Sequence, residues 1–264
     1  MRFKIILFLS VLSVCACRKK ENYSNIYIIG HGGMGLDNIT SVYHDNSFES
    51  IDLALQFPGV NGVEVDVQMD LDGELWLCHD VDLNDALGIE GVIPLLHTEF
   101  IEQQHYQTLY NEPLCKLRQL SNVLESPQVL FIDIKSHSAS QQYNVNPILF
   151  KQSLDEVLSL FDCEIKLILR DAEWIASFVS DYDTFLDTDS KSVIQLNQNL
   201  YPNLFGVVAP TDAFNAQYID QLKNQNLDVY LYEMRSPLTI RKSLEKNPTG
   251  ILPDDLRRAL IESR

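Results

Sequence analysis

Basic side chains are in short supply in this 264-residue chain: Lys and Arg number 20 against 37 Asp and Glu, a formal net charge of -17. Nucleic-acid backbones are neutralised by basic stripes, so this composition argues against a nucleic-acid partner. A phosphate-bearing ligand must instead meet a local positive centre, for which a bound metal ion is the obvious source. Long hydrophobic runs are missing too, since the one at the N-terminus, Ile5 to Val14, is too short to span a bilayer. Cysteine is sparse. Beyond residue 17 only Cys78, Cys115 and Cys163 remain, an odd number without the paired spacing that holds zinc, which predicts buried free thiols, with a single bridge as the alternative. There is no internal repeat and no low-complexity segment. One domain with one large core accounts for a chain of this length and 45% hydrophobic content.

At the N-terminus, Arg2 and Lys4 precede the apolar run and small residues follow it, the pattern of an export signal. Its end, Val14-Cys15-Ala16-Cys17, resembles the lipobox of bacterial lipoproteins, which predicts cleavage after residue 16 and lipidation of Cys17; a plain secretory signal is the alternative. Residues 17–25 then form a polar tether, and the protein is expected to be exported and held on a membrane in the periplasm or at the cell surface.

From residue 26 to 264, short apolar runs alternate with amphipathic segments. The runs are Ile26 to Ile29, Gly62 to Met69, Val129 to Lys135, Glu164 to Arg170, Leu204 to Ala209, Leu227 to Tyr232 and Gly250 to Leu252, with Ser192 to Leu196 as the candidate for an eighth. Helical spacing marks Phe48 to Gln56, Leu117 to Leu124, Pro147 to Phe161, Trp174 to Val179 and Asn215 to Asn224. The alternation predicts an α/β fold, a TIM-type (β/α)8 barrel. Glu74 to Cys78, after the turn Asp70-Leu71-Asp72-Gly73, predicts a hairpin strand, and the poorly periodic stretch 80–113 an excursion over the barrel mouth.

Two strands carry charge where an apolar residue is expected. In Gly62-Val63-Glu64-Val65-Asp66-Val67 the acids fall two apart and so share one face, where desolvation is costly without a compensating cation. Phe131-Ile132-Asp133-Ile134-Lys135 repeats the spacing with one acid and one base. Oxygen ligands from Glu64, Asp66 and Asp133 suit Ca²⁺ or Mg²⁺, and Lys135 can contact a phosphoryl oxygen. His31 and His79 each end an apolar strand and can supply the acid and base of phosphodiester cleavage. His44, His97, His105 and His137 fall in loop-like sequence and are expected to be solvated.

These residues resemble the glycerophosphodiester phosphodiesterases, metal-dependent barrels. The match runs through His31, Glu64-Val65-Asp66-Val67, Asp72-Gly73, His79-Asp80, Asp133-Ile134-Lys135 and Gly250-Ile251-Leu252-Pro253-Asp254, and the step of fifteen residues from Glu64 to His79 is similar to the family's own. The chain departs in three places. Gly32 stands where the family has a phosphate-binding Arg, and Arg170 is the candidate substitute, against the alternative of a surface charge. The family's Glu-Asn-Thr reads Asp45-Asn46-Ser47 and lies farther from His31. Asp133 replaces the usual Glu, as in the related sphingomyelinase D-like barrels. The resemblance implies hydrolysis of a small phosphodiester, with His31 as base and His79 as acid. A lyase forming a cyclic phosphate and a non-catalytic headgroup-binding barrel are the alternatives.

Overall fold

The computed structural model describes residues 23–36, 42–136 and 145–264. The signal sequence, Cys17, the first part of the tether and His137 lie outside the described residues. Eight parallel strands form the frame: β1 (Tyr27–His31), β2 (Gly62–Met69), β4 (Glu125–Ile134), β5 (Asp162–Leu169), β6 (Asp183–Asp187), β7 (Gly206–Pro210), β8 (Asp228–Tyr232) and β9 (Gly250–Ile251). β1 pairs with both β2 and β9, which closes the sheet into a TIM-type barrel. The hairpin strand β3 (Leu75–Leu77) runs antiparallel to β2, as its turn sequence predicts.

Alternation along each strand sorts side chains between two cores. Val63, Val65 and Val67 of β2 face outward with Leu130, Ile132 and Ile134 of β4 and pack under helices such as α1 (Phe48–Leu55), which contributes Ile51 and Ala54. A second, smaller cluster fills the barrel interior. There Phe131, Phe185 and Tyr230 meet ring to ring with centroids 4.7–5.6 Å apart. This aromatic layer is the floor on which the polar residues at the C-terminal strand ends rest.

The excursion is better ordered than its weak periodicity suggests. It forms α2 (Asn84–Leu87), a 3-10 turn (Ile93–Leu95) and α3 (Thr98–Ile101), around a satellite core that includes Trp76, Leu83, Ile93 and Tyr106. Buried Asp70 ties it to β3 by accepting the Trp76 indole N–H at 2.8 Å and the Thr98 hydroxyl. Leu117–Asn122, expected as a helix, is 3-10. Among the described residues, no helix is long and apolar enough to cross a membrane.

One strand assignment is overturned. Ser192 to Leu196 lies within α6 (Lys191–Leu200), after α4 (Pro147–Leu158) and α5 (Ala172–Phe178), while the remaining barrel strand is β6. Ser190 caps α6 through the Val193 N–H, and Ile194 and Asn197 are buried while Leu196 and Leu200 face solvent, which is helical spacing. Three helices complete the ring: α7 (Ala216–Asn224), α8 (Pro237–Glu245) and α9 (Leu256–Glu262). Cys78, Cys115 and Cys163 are free thiols, the first two buried and the third half-buried.

Candidate functional site

Strand register assembles the site. In the pairing of β2 with β4, Asp66 lies opposite Asp133, and in that of β1 with β2, His31 lies opposite Glu64. Because Glu64 and Asp66 share a face, all four side chains enter the barrel mouth together. The carboxylates of Glu64, Asp66 and Asp133 each offer an oxygen within 4.8 Å of the others. Glu64 and Asp66 are buried. Lys135, just past the end of β4, sets its ammonium 2.6 Å from Asp66 Oδ1 and 2.6 Å from Asp133 Oδ2.

Electrostatics tests whether a cation fits. Burial, reinforced by the charge of Asp66, pushes the Glu64 carboxyl up to about 8. Burial likewise raises Asp133, although Lys135 opposes it. For Asp66 burial works upward too, but Lys135 and the two histidines outweigh it and hold that carboxyl below its ordinary value. Three acids crowded in this way are short of positive charge, which a hard divalent ion with oxygen ligands would supply.

Both histidines face this cluster. His31 Nδ1 lies 3.0 Å from Asp254 Oδ1, and Nε2 lies 3.9 Å from Glu64 Oε2. Burial pulls its pKa down, but the bond to Asp254 and the charges of Glu64, Asp254 and Asp66 raise it overall. His79 Nδ1 lies 3.0 Å from Asp80 Oδ1, and that bond raises the imidazole to about 9 against the effect of burial. Gln68, buried on β2, donates to the carbonyls of Cys78 and Asp80 at 2.8 Å each, fixing the backbone on both sides of His79. Gly32, at φ +55, turns its N–H toward Glu64 Oε2 at 3.1 Å; a Cβ there would lie 2.9 Å from Asp45 Cβ. That geometry disfavours any longer side chain.

Arg170 does line the same cavity of about 450 Å³, with its guanidinium on Asp187 Oδ2. The other oxygen of Asp187 accepts the Tyr232 hydroxyl at 3.0 Å. The shifted motif Asp45-Asn46-Ser47 is in place as well. Asn46, in the left-handed region at φ 60, donates to Asp66 Oδ2 at 2.8 Å and accepts from the Asp66 N–H at 2.9 Å, while Ser47 caps α1. His44, expected in solvent, instead stacks on Tyr106 at 3.9 Å beside Asp45. Its partner in that stack, Tyr106, comes from the excursion. Asp187, Tyr232, Arg235 and Asp254 also line the cavity and were not singled out as site residues from sequence. Only Asp254 carried a signal, as the end of the Gly250-to-Asp254 segment.

The model of the glycerophosphoryl diester phosphodiesterase family matches residues 31–258. No curated protein sequence matches the chain. Among solved structures, it is similar to a phosphodiesterase of Oleispira antarctica in complex with the product sn-glycerol-3-phosphate, at TM-score 0.76 and 16% identity over 89% of this chain and 96% of that one. It is also similar to glycerophosphodiester phosphodiesterases of Thermotoga maritima (TM-score 0.70, 16% identity, 90% of this chain and 98% of that one) and Parabacteroides distasonis (0.67, 17%, 90% and 97%). At such identities the structural likeness speaks for the fold, and the family match carries the rest.

Proposed function

Because the chain belongs to the glycerophosphoryl diester phosphodiesterase family, and so is a phosphodiesterase, we propose that it hydrolyses glycerophosphodiester-like substrates with the help of one divalent cation, Ca²⁺ or Mg²⁺. The observation that carries this reading is the convergence of Glu64, Asp66 and Asp133 between His31 and His79. A cation held by those three carboxylates would polarise a phosphoryl oxygen and offset its growing charge. His31, oriented by Asp254, takes the proton from the attacking hydroxyl or water through Nε2. His79 protonates the leaving alcohol, consistent with its raised pKa. Lys135 assists at the phosphoryl group. Arg170, partly neutralised by Asp187, adds positive charge from the β5 side.

The test is a turnover screen on glycerophosphodiesters with and without each cation, followed by identification of both products. Free glycerol phosphate is expected. Asp133 leaves a second reading, since it is the feature shared with sphingomyelinase D-like barrels, and a cyclic phosphate that persists would establish that lyase instead. His31→Ala and His79→Ala should each lower turnover by about 10² to 10⁴-fold; near-normal turnover by either would remove that residue from the mechanism.

We further propose that residues 1–16 direct export and that Cys17, lipidated, anchors the barrel through the tether 17–25. Support comes from the Arg2 and Lys4 flank, the apolar run and the Val14-Cys15-Ala16-Cys17 segment. Incorporation of labelled fatty acid into the chain, lost in Cys17→Ala, checks it.

A further inference from the structure

On the β5-to-β8 side of the cavity, three polar side chains are joined into one unit. Asp187 ends β6, Tyr232 ends β8, and Arg170 follows directly after β5. Tyr232 reaches over β7 and donates its hydroxyl to Asp187 Oδ1 at 3.0 Å. Arg170 donates to the other oxygen, Oδ2, through Nε at 3.0 Å and through a second guanidinium nitrogen. Asp187 is buried, and both of its oxygens thus find donors within this wall.

That arrangement fixes the sense of the Tyr232 hydroxyl. A phenol carries one proton, and a carboxylate paired with a guanidinium can only accept, so the proton points at Asp187 and the oxygen lone pairs remain for a ligand. Burial, together with the charge of Asp187 and the bond to it, raises the phenol pKa, so the proton stays on the oxygen. Tyr232 therefore offers the cavity an acceptor. A phosphoryl oxygen, itself an acceptor, gains nothing there, whereas an alcohol hydroxyl does. Position supplies the rest. The Tyr232 ring stands edge-on to the His31 imidazole, with centroids 6.3 Å apart. Ile168, Val208 and Leu252 of the interior cluster also line the cavity, and Tyr232 packs against that cluster. Apolar surface for the carbon chain of an alcohol thus lies beside an acceptor for its hydroxyl.

We propose that Tyr232, held by Asp187, is a specificity residue that accepts a hydrogen bond from the outer hydroxyl of a glycerol moiety, the one farther from phosphorus. The inner hydroxyl then faces His31, and the phosphoryl group faces Glu64, Asp66 and Asp133. Diesters that carry the outer hydroxyl are favoured over those that lack it. This deepens the phosphodiester reading of the cavity and rests on it for the class of ligand.

The experiment is titration calorimetry on the full chain with Mg²⁺ or Ca²⁺ present. It compares sn-glycerol 3-phosphate with the matching enantiomer of propane-1,2-diol 1-phosphate, which lacks only the outer hydroxyl. Wild type should bind the glycerol phosphate about three- to tenfold more tightly, the range expected for one neutral hydrogen bond. Tyr232→Phe should erase that preference by weakening the first ligand and not the second. Glu233→Gln, next along the chain and also lining the cavity, should keep it. The assignment is overturned if wild type binds neither ligand or does not distinguish them, if Tyr232→Phe keeps the preference, or if Glu233→Gln abolishes it. Equal weakening of both ligands in Tyr232→Phe would also overturn it, because Tyr232 would then act only by steadying Asp187 and Arg170. Thermal melting confirms that each variant folds. Should Tyr232→Phe not fold, a crystal structure of wild type with sn-glycerol 3-phosphate carries the test, and an outer hydroxyl beyond hydrogen-bond reach of Tyr232 Oη would overturn the assignment. The titration requires no turnover, so the two readings fail separately. A chain with the Tyr232-dependent preference that cleaves no diester would sink the hydrolytic reading alone, and one that cleaves glycerophosphodiesters without that preference would sink this assignment alone.

Discussion

Asn46 shows how much a single side chain contributes to this site. It is fully buried, and both ends of its amide are spent on Asp66, one on the carboxylate and one on the backbone N–H. Replacing it with Ala leaves two buried polar groups unsatisfied, a cost of about 1–3 kcal/mol for a typical group of this kind. Asp66 would also lose its fixed orientation, and supports of this type change metal affinity by about 10- to 100-fold. Urea unfolding and cation titration of Asn46→Ala should show both losses, and wild-type values in both would mean that Asn46 neither stabilises the fold nor orients Asp66. His79 supports a second test at this scale. Its imidazole is raised to about 9 first by the bond to Asp80, with the charge of Asp66 adding to it. In the cation-free protein its ring protons should therefore titrate well above the ordinary 6.5, and in Asp80→Asn the midpoint should fall. An unchanged midpoint on proton NMR would mean that another group sets it.

At the scale of elements, register converts a spacing rule into a site. Glu64 and Asp66 were legible in the sequence because acids two apart in a fully buried strand have no inexpensive explanation. Asp133, on β4, and Lys135, just past its end, were legible by the same spacing, one acid and one base two apart in an apolar run. β6 was not. It is five residues long, begins and ends with Asp, and shows only Phe185 to the interior cluster, so no apolar run announces it. Asp187, which ends it, stayed hidden with it. The helix that follows begins with a Ser cap and a Val-Ile pair, and that pair imitated a strand. The interior also limits what its backbone tolerates. A Cβ on Gly206 of β7 would stand 2.4 Å from Phe185 Cε1 and 2.5 Å from the Asp228 carbonyl oxygen, so Gly206→Ala must push the aromatic floor aside. Overpacking of this kind costs about 1–3 kcal/mol. A melting temperature equal to wild type would show that the floor yields freely.

On the scale of the whole molecule, barrel closure decides what sequence reading can reach. His31 and Asp254 meet across 223 positions because β1 pairs with β9, and Asp254 in turn holds Arg235. No local pattern encodes such a contact, which explains why the half of the site drawn from β1 to β4 was legible and the half from β6 to β9 was largely not. Closure also gathers negative charge. Eight acidic side chains line one cavity, on a chain whose formal charge is already -17.

That gathering makes the stability of the cation-free protein depend on pH in a definite direction. Glu64 titrates at about 8 when folded and near 4.5 when unfolded, so between these values the folded chain binds the extra proton. Stability contributed by this group therefore falls as pH rises through that window. A cation and that proton compete for the same carboxylate. Binding to the folded state alone stabilises by RT ln(1 + [L]/Kd), about 2.7 kcal/mol at a hundredfold excess over Kd. The melting temperature should accordingly rise on adding Ca²⁺ or Mg²⁺, and the rise should be larger at pH 8.5 than at pH 6. Glu64→Gln should abolish most of that pH dependence, because the amide carries no proton for the cation to displace. A cation-induced shift that is absent in wild type, or equal at the two pH values, would show that the three carboxylates do not act as one cation site.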